Sequence, residues 1–177
     1  MNNSKNIIKE KGLKNFSGKE LDRANFERAN LKDANLSGSI VRRAFFRLAN
    51  LRRANFTLSE VFQTNFRNLK MWGVNFKGAL LKNVSFFKSD LDLANFSNIT
   101  ARNCSFHGAT LREACFIKAD LNNSNFYNAN LRRADLRSAN LENTNLKHAS
   151  LVGAIIDENT KLPFSTTEAL NKGIILK

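Results

Sequence analysis

Residues 24–38 read ANFERANLKDANLSG. Three copies of one five-residue unit stand there in a row: a small residue, an Asn, a large apolar residue and two polar ones. The unit runs far beyond this stretch. Every fifth residue from Phe16 to Ile156 gives 29 centres, of which 24 are Phe or Leu, and the frame never slips. Ala, Ser, Thr or Cys stands two residues before the centre in 23 of the 29, and Asn or Asp stands just before it in 16.

A period of five fits neither a helix at 3.6 residues nor a strand at two. On a helix Phe16, Leu21 and Phe26 would rotate around the axis, and no one face would bury them. A chain that turns a corner every five residues points every centre inward. The residue two before it then points inward as well, where space at the corner is short and a small side chain fits. Asn and Asp suit the bend, because they tolerate unusual backbone angles and bond to nearby backbone groups.

A second period sets the number of sides. Centres twenty apart match in type: Phe26, Phe46, Phe66, Phe86, Phe106 and Phe126 make one column, and Phe56, Phe76, Phe96 and Phe116 make the opposite one. The columns between are mostly aliphatic, as in Leu31, Leu51, Met71, Leu91 and Leu111. The expectation is an all-β, four-sided β-helix (a solenoid) of about seven coils, roughly 34 Å long at about 4.8 Å per coil. One repeat tests the register. Ala101 stands at a centre and Ile99 two before it, so large and small are exchanged, and both side chains should point inward. Leu69, Val74 and Val84 are also bulky at small positions.

The unit A-(N/D)-(L/F)-x-x, carried over about residues 14–156, resembles the pentapeptide-repeat family. The resemblance implies a right-handed quadrilateral β-helix. It also implies the family's best-characterised role, binding DNA gyrase or topoisomerase IV in place of DNA (the quinolone-resistance type). That role rests on a negative, phosphate-like surface. This chain carries a net charge of +13, and its unbroken frame has no inserted loop of the kind several gyrase-protecting relatives project.

The chain divides into an N-terminal cap (1–13), the repeat region (14–156) and a C-terminal cap (157–177). Lys14 and Lys19 fall at inward positions, so the first coil should be irregular. At the other end Ser165 and Glu168 read as a capping box, predicting a short helix over 166–172 that ends at Gly173. Ile174, Ile175 and Leu176 form an apolar strip, read as a plain cap over the last coil or as a homodimer contact. MNNSKNIIKEKGLK has no apolar run of signal-peptide length, and no stretch of about 18 apolar residues predicts a membrane span. Cys104 and Cys115 occupy different places in the repeat, which speaks against a disulfide and for a cytoplasmic setting.

Positive charge concentrates in residues 41–80, which hold eight Lys or Arg and one acid. Arg42, Arg43, Arg47, Arg52 and Arg53 lie within one coil and predict a collar over three sides, able to attract phosphates or acidic surfaces. The 20-residue spacing also predicts ordinary ion pairs: Asp22 with Arg42, Glu27 with Arg47, Asp33 with Arg53 and Glu113 with Arg133. It leaves Arg43, Arg52, Arg67, Lys82, Arg102 and Arg132 without an acid directly above or below. Aromatic residues break the outward rule in the same region. Phe87, His107 and Tyr127 should stack above Arg47 and Arg67, and Trp72 should lie over Arg52. Phe45, Leu48, Leu58 and Phe62 also fall at outward positions.

No catalytic or metal-ligating motif is present: His107 and His148 are the only histidines, and neither has Cys or His at ligand spacing. No cofactor is expected. The sequence therefore reads as a non-catalytic scaffold whose basic, aromatic face binds an acidic protein or a nucleic acid, without membrane association. The alternatives are the topoisomerase-binding role and a purely structural oligomer.

Overall fold

The computed structural model describes residues 14–177; the expected cap over 1–13 lies outside the described residues. From Asn15 onward the chain winds as a right-handed, four-sided β-helix of about eight turns. Parallel pairing joins each coil to the next at an offset of twenty residues. On one side the coils contribute short strands, β1 (Glu20–Asp22), β2 (Ile40–Arg42), β3 (Glu60–Phe62), β4 (Leu80–Lys82) and β5 (Thr100–Arg102), which form one five-stranded sheet in chain order. Leu21 pairs with Val41, Val41 with Val61, Val61 with Leu81 and Leu81 with Ala101. Along the repeat the other three sides pair by single-residue bridges, such as Asn30 with Asn50 and Asn50 with Lys70.

Each element of the five-residue unit has a physical job. The centre is buried and so is the residue two before it. The residue two after the centre sits in the left-handed region, as in Arg28 (φ 59°), Asp33 (φ 61°) and Gly38 (φ 62°), and this turns the chain. On the three sides without strands an amide usually closes the corner on the carbonyl three residues back, as in Ala29 N to Phe26 O at 3.1 Å and Ala34 N to Leu31 O at 3.0 Å. Asn before the centre accepts through Oδ1 from the amide two residues on: Glu27 to Asn25 at 3.0 Å, Lys77 to Asn75 at 3.0 Å and Tyr127 to Asn125 at 2.9 Å. These bonds satisfy donors that would otherwise face out of the corner. At Gly78, where φ is +68°, an added Cβ would stand 2.8 Å from Leu58 Cδ2, so that exposed side chain would have to turn aside.

The core is two walls of phenylalanine between two aliphatic walls. Rings within a wall follow one another at 4.6–5.4 Å, and rings of opposite walls meet edge to face at 5.6–6.5 Å. Such pairs contribute about 0.5–1.5 kcal/mol each beyond their buried area. Ala101 and Ile99 are both inside, at 0% and 1% exposure, so the exchanged volumes share one layer as expected. Leu69, Val74 and Val84 are buried too. At Leu69 the corner bond is opened, and a hydroxyl fills it: Leu69 N donates to Ser89 Oγ at 3.3 Å, and Ser89 Oγ donates to Phe66 O at 2.5 Å. Ser124 bridges Cys104 N and Ala101 O in the same way, at 3.1 and 2.6 Å.

At the start of the rod Lys14 and Lys19 are exposed although their positions are inward ones, and Lys14 Nζ donates to Lys32 O at 2.9 Å. At the far end the frame slips by one residue. Asp157 makes the turn, accepting from Ser138 N and Oγ at 2.7 Å each and from Thr160 Oγ1 at 2.8 Å. Lys161 then pairs with Asn140 at an offset of 21. The helix α1 runs Thr166–Asn171, with Ser165 Oγ accepting from Glu168 N at 3.2 Å. It ends one residue before the expected 172, because Lys172 already leaves helical geometry ahead of Gly173 at φ 74°. The strand β7 (Ile175–Leu176) then pairs parallel with β6 (Ile155–Ile156). The expected apolar strip is split by this pairing: Ile174 is 3% exposed and part of the core, while Ile175 and Leu176 remain outside at 45% and 51%. Ile174 therefore covers the last coil and is not available to a second chain. No helix among the described residues is long and apolar enough to cross a membrane.

Candidate binding face

The arginine collar stands where the repeat places it, with Arg42, Arg43, Arg47, Arg52 and Arg53 all exposed on one coil. Their partners differ from the simple twenty-residue scheme. Asp22 does not pair with Arg42. Its Oδ1 accepts from Arg43 Nη2 at 2.8 Å and Nε at 3.3 Å. Arg42, at the end of β2, is drawn upward instead, its guanidinium 5.6 Å from the centre of the Phe62 ring. Arg53 pairs with Asp33 through two bonds, at 2.7 and 3.0 Å, as the spacing predicts. That guanidinium bonds and attracts the Asp33 carboxyl and so lowers its pKa against the opposing effect of burial. Arg133 stands 3.8 Å from Glu113.

Two further expectations are corrected. Arg102 is not without an acid, since it reaches Asp120, eighteen residues on, at 2.6 Å. The expected pair Glu27–Arg47 does not form. Among the described residues Arg47, Arg52 and Arg67 have no carboxylate within 4.0 Å. One pair was missed although it obeys the twenty-residue rule: Arg112 holds Asp92, a nearly buried carboxylate, at 2.5 Å, and also donates its amide to it at 2.9 Å.

The outward aromatics form a ladder along one side. Phe87, His107, Tyr127 and His148 follow at 4.9, 5.1 and 5.3 Å between ring centres, each pair edge to face. The first three are half-buried. The base of the ladder is capped by cations, with Arg67 at 5.3 Å and Lys88 at 5.2 Å from the Phe87 ring centre. Trp72 stands on the coil above Arg52, its carbonyl accepting from Arg53 N at 2.9 Å, but among the described residues Trp72 and Arg52 make no cation–π contact. It borders a depression one coil higher, shared with Asp92, Leu93 and Arg132, where the Asp92–Arg112 pair shapes the wall beside it. Below the ladder, Phe45 and Leu48 are largely exposed and flank Arg47 and Arg67 around a second depression of about 500 Å³. No described group of three or more His, Cys, Asp or Glu is placed to hold a metal ion. Cys104 and Cys115 are free thiols.

A rod of this section, built from a five-residue unit whose motif residues all serve the core and corners, is a repeat scaffold with its individuality confined to outward side chains. The chain belongs to the pentapeptide-repeat family: a pentapeptide repeat region model matches residues 79–156, and a model of eight pentapeptide repeats matches 15–43 and 29–68. A comparison of the sequence with curated proteins gives no match. Among solved structures it is similar to a trypsin-treated form of QnrB1, a plasmid-mediated fluoroquinolone resistance protein, at TM-score 0.61 and 20% identity, over 92% of this chain and 77% of that one. HetL, a protein involved in heterocyst differentiation regulation from Nostoc sp. strain PCC 7120, aligns over 94% of this chain and 88% of that one, at 19% identity and TM-score 0.32. These likenesses concern the fold.

Proposed function

We propose that the protein is a non-catalytic interaction scaffold whose basic, aromatic-bearing face, from Arg42 to Tyr127, binds an acidic protein or a nucleic acid. The observation that carries this reading is the distribution of unpaired charge. Arg43, Arg53, Arg102, Arg112 and Arg133 each have a carboxylate, whereas among the described residues Arg47, Arg52 and Arg67 have none within 4.0 Å, and Arg47 and Arg67 share a depression with the exposed Phe45 and Leu48. Exposed ion pairs contribute about 0–1 kcal/mol to a fold, so the paired arginines are accounted for as surface chemistry. The unpaired ones leave a concentrated positive field with an aromatic floor, a combination suited to an anionic macromolecule.

Salt elution from immobilised poly-glutamate and oligo-dT tests it. A variant with Arg42, Arg43, Arg47, Arg52 and Arg53 changed to Glu should elute at clearly lower salt than a control of equal net charge reversed at Lys118, Arg132, Arg133, Lys147 and Lys177. Equal elution of the two would mean that only total charge matters and would sink the reading. The topoisomerase role stands as the second reading. It is supported by membership of the family and opposed by the sign of the surface. Inhibition of gyrase supercoiling at low protein concentration would reverse this order.

A further inference from the structure

The depression between Arg47 and Arg67 is more specific than the face around it. These residues lie twenty apart on consecutive coils, and among the described residues neither has a carboxylate within 4.0 Å. Phe45 and Leu48 form its apolar part, 53% and 61% exposed. Glu27 and Asn65 complete its rim. Leu48 offers the more exposed of the two apolar side chains. It occupies a left-handed corner at φ 62°, a position that other corners fill with Arg, Lys, Asn and Gly and, at Leu58 and Leu93, with leucine again. An L-residue with a branched side chain is strained there, and an exposed one recovers nothing by burial within its own chain.

Resting on the reading that this face binds an anionic partner, we propose that the depression anchors an acidic segment of a partner protein. One Asp or Glu carboxylate sits between Arg47 and Arg67, and a neighbouring apolar side chain packs on Phe45 and Leu48. Two features select a protein segment over a nucleic-acid strand. Glu27 on the rim offsets one of the two guanidiniums and leaves the site one net positive charge, enough for a single carboxylate and a poor match for a run of phosphates. The aromatic ladder above lacks free ring faces for bases, since Phe87, His107 and Tyr127 are half-buried and packed edge to face, with Arg67 and Lys88 over Phe87.

Selection of a displayed random-peptide library on the full chain, followed by fluorescence anisotropy, tests this. Enriched peptides should place Asp or Glu beside Leu, Ile or Phe. Arg67→Ala should weaken the labelled enriched peptide about tenfold or more, and Leu48→Asn by roughly threefold to tenfold. Leu48→Asn should at the same time raise the melting temperature by about 2 °C, since it relieves the corner. Labelled dT20 should not compete. Failure to enrich acidic peptides, wild-type affinity in both single variants, or full competition by dT20 each overturns the proposal. Peptide binding lost in the five-arginine reversal but unchanged by Arg67→Ala and Leu48→Asn would retain the basic face and discard the pocket. Insensitivity to all three would discard both.

Discussion

Exchanging Ile99 and Ala101 tests the register of the coil at the place where it departs from the repeat. Both side chains are buried, at 1% and 0% exposure, on one side of the fifth full coil. Ile99→Ala removes three carbons. At about 0.8 kcal/mol each plus the cavity left behind, the loss is about 3–4 kcal/mol. Ala101→Leu alone puts a large side chain beside an intact Ile99 and should cost about 1–3 kcal/mol through overpacking. The double variant has the same number of side-chain carbons as the parent and restores the common pattern of small then large. It should lie within about 1.5 kcal/mol of wild type, a favourable coupling of about 3 kcal/mol between the two sites. Urea unfolding followed by circular dichroism measures all four proteins. A double variant whose loss equals the sum of the single losses would mean that the two side chains do not share a layer, and the inward assignment would fail there.

The phenylalanine walls make a positional prediction. Phe66 meets four rings, Phe46, Phe56, Phe76 and Phe86, whereas Phe16 meets only Phe26 among the described residues. Phe66→Ala should therefore cost about 1–2 kcal/mol more than Phe16→Ala in the same unfolding assay, and equal costs would contradict the stacked core. Acid should loosen the C-terminal turn. Burial opposes the Asp157 charge, but the bonds from Ser138, Thr160 and Asn159 outweigh it and bring its pKa down to about 2. A carboxylate depressed on folding stabilises the fold above its ordinary range near 4, and that contribution is lost as pH falls from about 4 to 2. Asp157→Asn should flatten this part of the melting-temperature profile; an unchanged slope would remove Asp157 as its source. Burial pushes the Cys104 thiol up to about 11. At pH 8 iodoacetamide should label the half-buried Cys115 well before Cys104, and urea should abolish the difference.

Most of the inner structure was legible in the sequence because the fold repeats. A strict period of five decides which side chains turn inward, and a period of twenty decides which ones stack, so the phenylalanine walls and the Ile99–Ala101 exchange follow from counting. The C-terminal helix followed from Ser165 and Glu168. The surface was legible only in part. Long side chains leave the coil from different corners, so charge partners need not lie twenty apart. Asp22 meets Arg43 instead of Arg42, because a ring above competes for Arg42 and the left-handed corner aims Arg43 downward. Arg102 reaches diagonally to Asp120 on the next coil, across an offset of eighteen.

By itself, then, the sequence determined the class of fold, its four sides and the identity of its core, since these depend on local periodicity and side-chain volume. Tertiary structure decided what periodicity cannot carry. The one-residue slip at Asp157 and the pairing of β7 with β6 bury Ile174. Hydroxyls of the next coil, from Ser89 and Ser124, close the corners at Leu69 and Cys104. The competition among neighbours on three coils leaves Arg47 and Arg67 unpaired around Phe45 and Leu48. Each depends on which side chains converge from separate turns of the rod, and that convergence is where a partner would find this protein different from any other rod of the same repeat.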